Sequence, residues 1–300
     1  IALLYTLDPK APFVLGSGES ISTPEEIEDA IKRRPALTER IKDLLYSGIF
    51  EEWLRAAFPD AKEEIKFIEH LRIQFNQDED LDLYALRWQF CPTVPFPFGS
   101  EKASSPKDLV RLIEKGGKWK DLGKQVMTNG WLKTWLTATT NEFRRDSSSY
   151  DEIVNSAASQ DRKLEAVLHL LDPTLKRPSP SSDRKKVAIG RVSLETEKSA
   201  KITIRNAGRG FLSGSIALQG PGRGIAINQQ IIEGGPVDVT VTAKAIGLPV
   251  GSREKAIIAV QTNGGNLEIP VSYRVAAPIF KMIGRSLLRG LMFGFVLGVL

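Results

Sequence analysis

Residues 45–54 read LYSGIFEEWL, and residues 127–136 read MTNGWLKTWL. In each stretch a glycine, Gly48 or Gly130, precedes a Trp-Leu pair by five positions. Glycine adopts the left-handed backbone that closes a helix without the steric penalty a Cβ brings. The spacing therefore predicts a helix ending just before each glycine and a second helix starting just after it. Ile49 and Trp53, and likewise Trp131 and Trp135, then stand four residues apart on one helix face. That face is either core packing or a partner-binding groove, since aromatic anchors dominate binding hot spots. Trp53, Trp131 and Trp135 are the candidate partner-binding residues.

The echo widens on both sides. Pro9, Pro12, Phe13, Gly16 and Ser17 recur as Pro92, Pro95, Phe96, Gly99 and Ser100, at a spacing of 83. Thr23-Pro24 recurs as Ser105-Pro106, and each predicts a hydroxyl N-cap with proline at the first helical position. A third copy starts at Ala166, where Leu171-Asp172-Pro173 repeats Leu7-Asp8-Pro9. Repetition of about eighty residues with helical apolar spacing predicts two tandem all-α repeat domains, 1–83 and 84–175.

Residues 176–186, KRPSPSSDRKK, read as a flexible linker. From 187 the texture changes to short β-branched runs broken by Asn and Gly. Ile202 and Ile204 alternate with Lys201, Thr203 and Arg205, the pattern of a strand with one buried face. About seven such strands predict an all-β sandwich over 187–276. Thr262-Asn263-Gly264-Gly265 predicts a hairpin between the last two. Ile204-Arg205-Asn206-Ala207-Gly208, and residues 262–271, TNGGNLEIPV, resemble the bacterial immunoglobulin-like sandwiches related to the major-sperm-protein and hydin-type folds. The resemblance implies an immunoglobulin-like, non-catalytic packing or binding module.

Residues 279–300, IFKMIGRSLLRGLMFGFVLGVL, carry no charge after Arg289. The expectation for 277–300 is the start of a transmembrane helix, truncated; the alternative is a buried core helix. Gly290, Gly294 and Gly298 share one helix face, where small residues let another helix approach in lipid. Lys281, Arg285 and Arg289 at the entry side place the preceding domains in the cytoplasm by the positive-inside bias. The chain opens at Ile1 and stops inside an apolar run, and reads as a segment of a larger protein.

Charge is divided unevenly. Residues 1–175 hold 23 Lys+Arg against 29 Asp+Glu, and 176–300 hold 18 against 7. An anionic partner, or the anionic inner leaflet, is expected to meet the second half. A single cysteine, Cys91, fits a reducing compartment, and with two histidines, His70 and His169, it leaves too few ligands for a zinc site. Asp78, Asp80 and Asp82 fail the calcium-loop pattern at Leu83 and Gln89 and read as an acidic helix start. Gly220-Pro221-Gly222-Arg223-Gly224 lacks the Lys-Ser/Thr of a phosphate loop and reads as a strand connection. No catalytic, cofactor or metal site is expected. The function expected is a non-catalytic, membrane-tethered cytosolic scaffold or regulatory region working through protein–protein contacts, with nucleic acid a weak alternative through the basic linker. The other reading is an accessory region of a larger bacterial signalling enzyme or chaperone, kinase-like or Hsp70-like, with its catalytic domain before Ile1.

Overall fold

A computed structural model of the chain describes residue 5, residues 7–74 (backbone only for 72–74) and residues 78–277. The chain forms two compact units, 1–173 and 174–300.

The first unit is helical but not all-α, because each copy of the repeat opens with a two-stranded antiparallel hairpin. In the first copy β1 (Phe13–Gly16) pairs with β2 (Glu19–Ile21), followed by α1 (Glu26–Arg33), α2 (Leu37–Tyr46), α3 (Ile49–Ala57) and α4 (Lys62–Gln74). Next comes α5 (Glu79–Phe90), then the second hairpin, β3 (Phe96–Phe98) with β4 (Glu101–Ala103). It is followed by α6 (Pro106–Ile113), α7 (Lys118–Thr128), α8 (Trp131–Thr139), α9 (Asn141–Arg145), α10 (Ser148–Asn155) and α11 (Gln160–Leu171). The expected domain boundary at 83/84 falls inside α5. That helix is common to both copies: Arg87 Nε bonds Glu28 Oε2 of α1 at 2.8 Å, and Asp78, its N-cap, accepts a bond from Trp131 of α8 at 2.8 Å.

Equivalent aromatic side chains hold the two copies. Tyr5 stacks on Phe13 at 5.8 Å, and Trp88 on Phe96 at 5.7 Å. Phe13 then meets Trp53, and Phe96 meets Trp135, both at 5.0 Å between centroids. Gly48 (φ 77°) and Gly130 (φ 89°) take the left-handed conformation and lead directly into α3 and α8. An alanine at Gly48 is expected to cost about 1 kcal/mol, since a Cβ there is pushed against the backbone. Denaturant titration checks this, and an unchanged midpoint would show that the turn needs no glycine.

The two helix starts diverge. Ser105 caps α6 by accepting from Asp108 N at 3.2 Å, with Pro106 at the first turn. Thr23 does not cap α1, which begins at Glu26; instead the Glu26 carboxylate reaches back to Ser22 N at 2.8 Å. The acidic start at Asp78 is as read, its side chain accepting from Leu81 N at 3.0 Å.

The second unit is a two-sheet sandwich. Its strands are β5 (Pro180–Ser182), β6 (Val187–Ser193), β7 (Glu197–Asn206), β8 (Ser213–Gln219), β9 (Ile225–Ile227), β10 (Ile231–Glu233), β11 (Val237–Lys244), β12 (Arg253–Thr262) and β13 (Gly265–Ala276). One sheet runs β10-β8-β12-β13-β6, the other β5-β7-β11-β9. Their inner faces share one core, in which Ile202, Ile204, Val239 and Val241 of the second sheet meet Ile258, Val260, Ile269 and Val271 of the first. All pairs are antiparallel except β6 with β13.

The stretch expected as a flexible linker is part of this sandwich. β5 pairs with β7, placing Pro180 opposite Asn206. Asp183 accepts from Thr203 N at 2.8 Å, and Ser179 N donates to Asn206 Oδ1 at 2.9 Å. An edge strand tolerates proline because one row of its backbone groups has no strand to meet. Gly264, in the β12–β13 turn, has no room for a Cβ, which would lie 2.0 Å from Pro178 O. Among the described residues no helix is long and apolar enough to cross a membrane. The run 279–300, with Lys281, Arg285, Arg289, Gly290, Gly294 and Gly298, lies outside the described residues.

Candidate anion-binding face

The three candidate tryptophans are engaged internally. Trp53 and Trp135 are 1% and 2% exposed, so neither offers a face to a partner. Trp131 is half-buried; its indole N–H is held by Asp78 and its ring lies 5.5 Å from Tyr84 and 6.2 Å from Trp88. It joins the second copy of the repeat to α5. The helical spacing correctly put Trp53 and Trp135 on the face that bears the repeat, and that face is the core.

Other reactive groups also have structural occupations. Cys91 donates its thiol to Glu25 O at 3.1 Å, and burial pushes its pKa up, away from the reactive thiolate. His169 Nε2 sits 3.1 Å from Glu165 Oε1, one turn away on α11. His70 is exposed on α4. Among the described residues no group of three His, Cys, Asp or Glu is placed to hold a metal ion.

A site that linear reading missed lies on the outer face of the five-stranded sheet. Arg253 on β12 stands directly opposite Arg274 on β13, and Arg274 directly beside Arg191 on β6. Cross-strand neighbours are about 5 Å apart, so three exposed guanidinium side chains leave one face in a row. Their neighbours on that face are Ala188, Ser272 and Lys255, so no carboxylate stands in the row. Like charges placed directly opposite each other destabilise a sheet. The row therefore carries an electrostatic cost that an anion would relieve.

The row lines a cleft of about 540 Å³ with Ala188, Gly190, Gly251, Ser272 and Tyr273. Gly190 (φ 84°) lies at the irregularity where β6 and β13 shift register between Ser272 and Tyr273. Ile189 is the residue the register skips, and this insertion brings Arg191 back to the outer face beside Arg274. Tyr273 points inward and ties three elements together, its single hydroxyl proton shared between Arg223 O at 2.7 Å and Lys244 O at 3.2 Å. Burial raises its pKa. Tyr273→Phe leaves both carbonyls short of a donor, and a loss of about 1–2 kcal/mol is expected. Thermal or urea unfolding of the chain measures it, and a neutral effect would show that water replaces the hydroxyl. Planar guanidinium forks suit bidentate binding of phosphate or carboxylate oxygens. Three such forks on one face supply the donors and positive charge that an anionic group needs.

No family model matches the chain, and no curated protein matches it. Solved structures resemble about a third of it. A protein of unknown function from Porphyromonas gingivalis W83 is 20% identical, with a TM-score of 0.27, covering 32% of this chain and 46% of its own. The PapD-like domain 7 of human CEP192 is 8% identical, with a TM-score of 0.28, covering 33% and 86%. SSP-19, an MSP-domain protein like family member of Caenorhabditis elegans, is 13% identical, with a TM-score of 0.25, covering 31% and 98%. The assignment of an immunoglobulin-like sandwich stands on the strand order and the shared core described above.

Proposed function

We propose that this chain is a non-catalytic, membrane-tethered scaffold or regulatory region, with both globular units on the cytoplasmic side. In this reading the helical unit meets protein partners and the sandwich lies next to the bilayer. The observation that carries the reading is the arginine row, which lies on the last strand and its neighbours, just before the apolar run 279–300. Anionic lipids attract basic groups within a Debye length of their surface. A tethered module acts by raising the local concentration of whatever it holds.

The test is fractionation of the full chain. Sedimentation with membranes after a carbonate wash, and digestion of the sandwich by protease added to inside-out vesicles, are expected. Release by carbonate, or digestion only in right-side-out vesicles, would sink the reading.

A further inference from the structure

Beyond the arginine row, the end of the sandwich that carries it has an apolar tip. The β11–β12 loop, residues 245–252, reads AIGLPVGS. Its Ala245 and Leu248 pack inward on Val192, Tyr273 and Val275. Ile246 and Val250 point outward, 69% and 54% exposed. Gly251 N is bonded to Val275 O at 2.9 Å, and Val275 N to Ser252 O at 2.9 Å, so the loop is fixed against the last residues of β13. Arg253 and Arg274 flank it, Gly251 lines the arginine cleft, and Arg223 is held alongside through its backbone bond to Glu254. The acids at this end are few. Glu197 is paired with Lys244 at 2.9 Å, Glu254 points inward, and Glu195 lies in the β6–β7 turn.

We infer that this end of the sandwich docks on an anionic bilayer surface, with Ile246 and Val250 entering the headgroup boundary and Arg191, Arg253 and Arg274 binding lipid phosphates. Two exposed aliphatic side chains held rigidly beside a basic row match the two requirements of interfacial binding, apolar area and attraction to anionic lipid. A protein partner would need an apolar socket ringed by acids. The order of the sequence favours the bilayer: β13 ends at Ala276 at this end of the sandwich, and the apolar run 279–300 follows three residues on in sequence. The inference deepens the membrane-tethered reading and predicts more than tethering, because a tether alone sets no orientation.

The full chain carrying Val250→Cys and Cys91→Ser, labelled at position 250 with an environment-sensitive fluorophore, is mixed with neutral phosphatidylcholine vesicles or with vesicles containing about a third phosphatidylglycerol. Flotation reads association, and emission reads the setting of residue 250. The expected result is a blue shift on anionic vesicles that fades with salt. Replacing Arg191, Arg253 and Arg274 by glutamine should weaken the lipid dependence of that shift by about fivefold per arginine removed. Flotation on both vesicle types with an aqueous emission on both overturns docking and leaves the tether standing. Flotation on anionic vesicles alone, with the blue shift, supports docking and removes the tether. No flotation on either overturns both. A label at exposed Ile231, on the opposite edge strand of the same sheet, must stay aqueous throughout; a blue shift there also overturns the proposed orientation.

Discussion

Trp53→Ala and Trp135→Ala are expected to be the most damaging single changes in the helical unit, each costing about 3–5 kcal/mol. Each side chain is essentially fully buried and stands 5.0 Å from the hairpin phenylalanine of its copy, so alanine leaves a cavity between helix and hairpin. Domain stability is about 5–15 kcal/mol, so losses of this size approach unfolding at moderate temperature. The two positions should behave alike because they are the same position of the repeat. Trp53→Phe should cost much less, since the Trp53 indole N–H is buried without a hydrogen-bond partner and phenylalanine removes that unpaired donor. Urea unfolding of the three variants checks this. If Trp53→Ala left stability intact while abolishing a partner interaction, the indole would belong to a binding face after all.

The second large effect is electrostatic. Asp82 on α5 is fully buried and accepts a hydrogen bond from the Tyr46 hydroxyl, while its Oδ1 has no partner. Its pKa is raised to about 6: burial is the largest cause, the Tyr46 bond pulls the other way, and the charges of Asp78 and Glu79 add to the rise. A carboxyl with a raised folded-state pKa binds its proton more tightly in the folded chain than in the unfolded one. Its contribution to stability is complete below the ordinary value near 4 and is lost as pH rises through about 6. At pH 7 the ionised group then costs about 2–3 kcal/mol. Asp82→Asn should therefore gain stability relative to the native chain at pH 7 and lose that advantage as pH falls from 7 to 4. Unfolding free energies of both chains across that range give the difference directly. A difference that does not change with pH would show that Asp82 is ionised with an ordinary pKa.

How much of this was legible depended on how far apart the interacting residues lie. Ser105 was read as a cap because a cap is a contact three residues long, and the structure shows that bond to Asp108 N. Thr23 carries the same signal and fails: Glu26 N donates to the Thr23 backbone O at 3.2 Å instead of to its hydroxyl, and the helix begins at Glu26. The hairpins at the head of each copy were not legible. Phe13–Gly16 and Phe96–Phe98 are strands of four and three residues inside copies whose helical spacing predicts an all-α fold. Composition makes residues 176–186 read as linker, whereas residues 180–182 pair with Ile204, Arg205 and Asn206 of β7, a contact more than twenty residues away.

Linear pattern was enough for the change from helix to strand near residue 176, the repetition of Gly48 and Trp53 as Gly130 and Trp135, and the concentration of positive charge after residue 175. Each is a local pattern or a sum, and both survive without knowledge of the fold. Packing and strand pairing were needed to learn that the repeated tryptophans face the core, that one helix serves both copies, and that Arg191, Arg253 and Arg274 stand side by side. The physical reason is register. Cross-strand hydrogen bonding fixes which residues become neighbours, and a one-residue slip would send every side chain of a strand to the opposite face. The irregularity at Gly190 is what returns Arg191 to the same face as Arg274, and no count along the chain contains it.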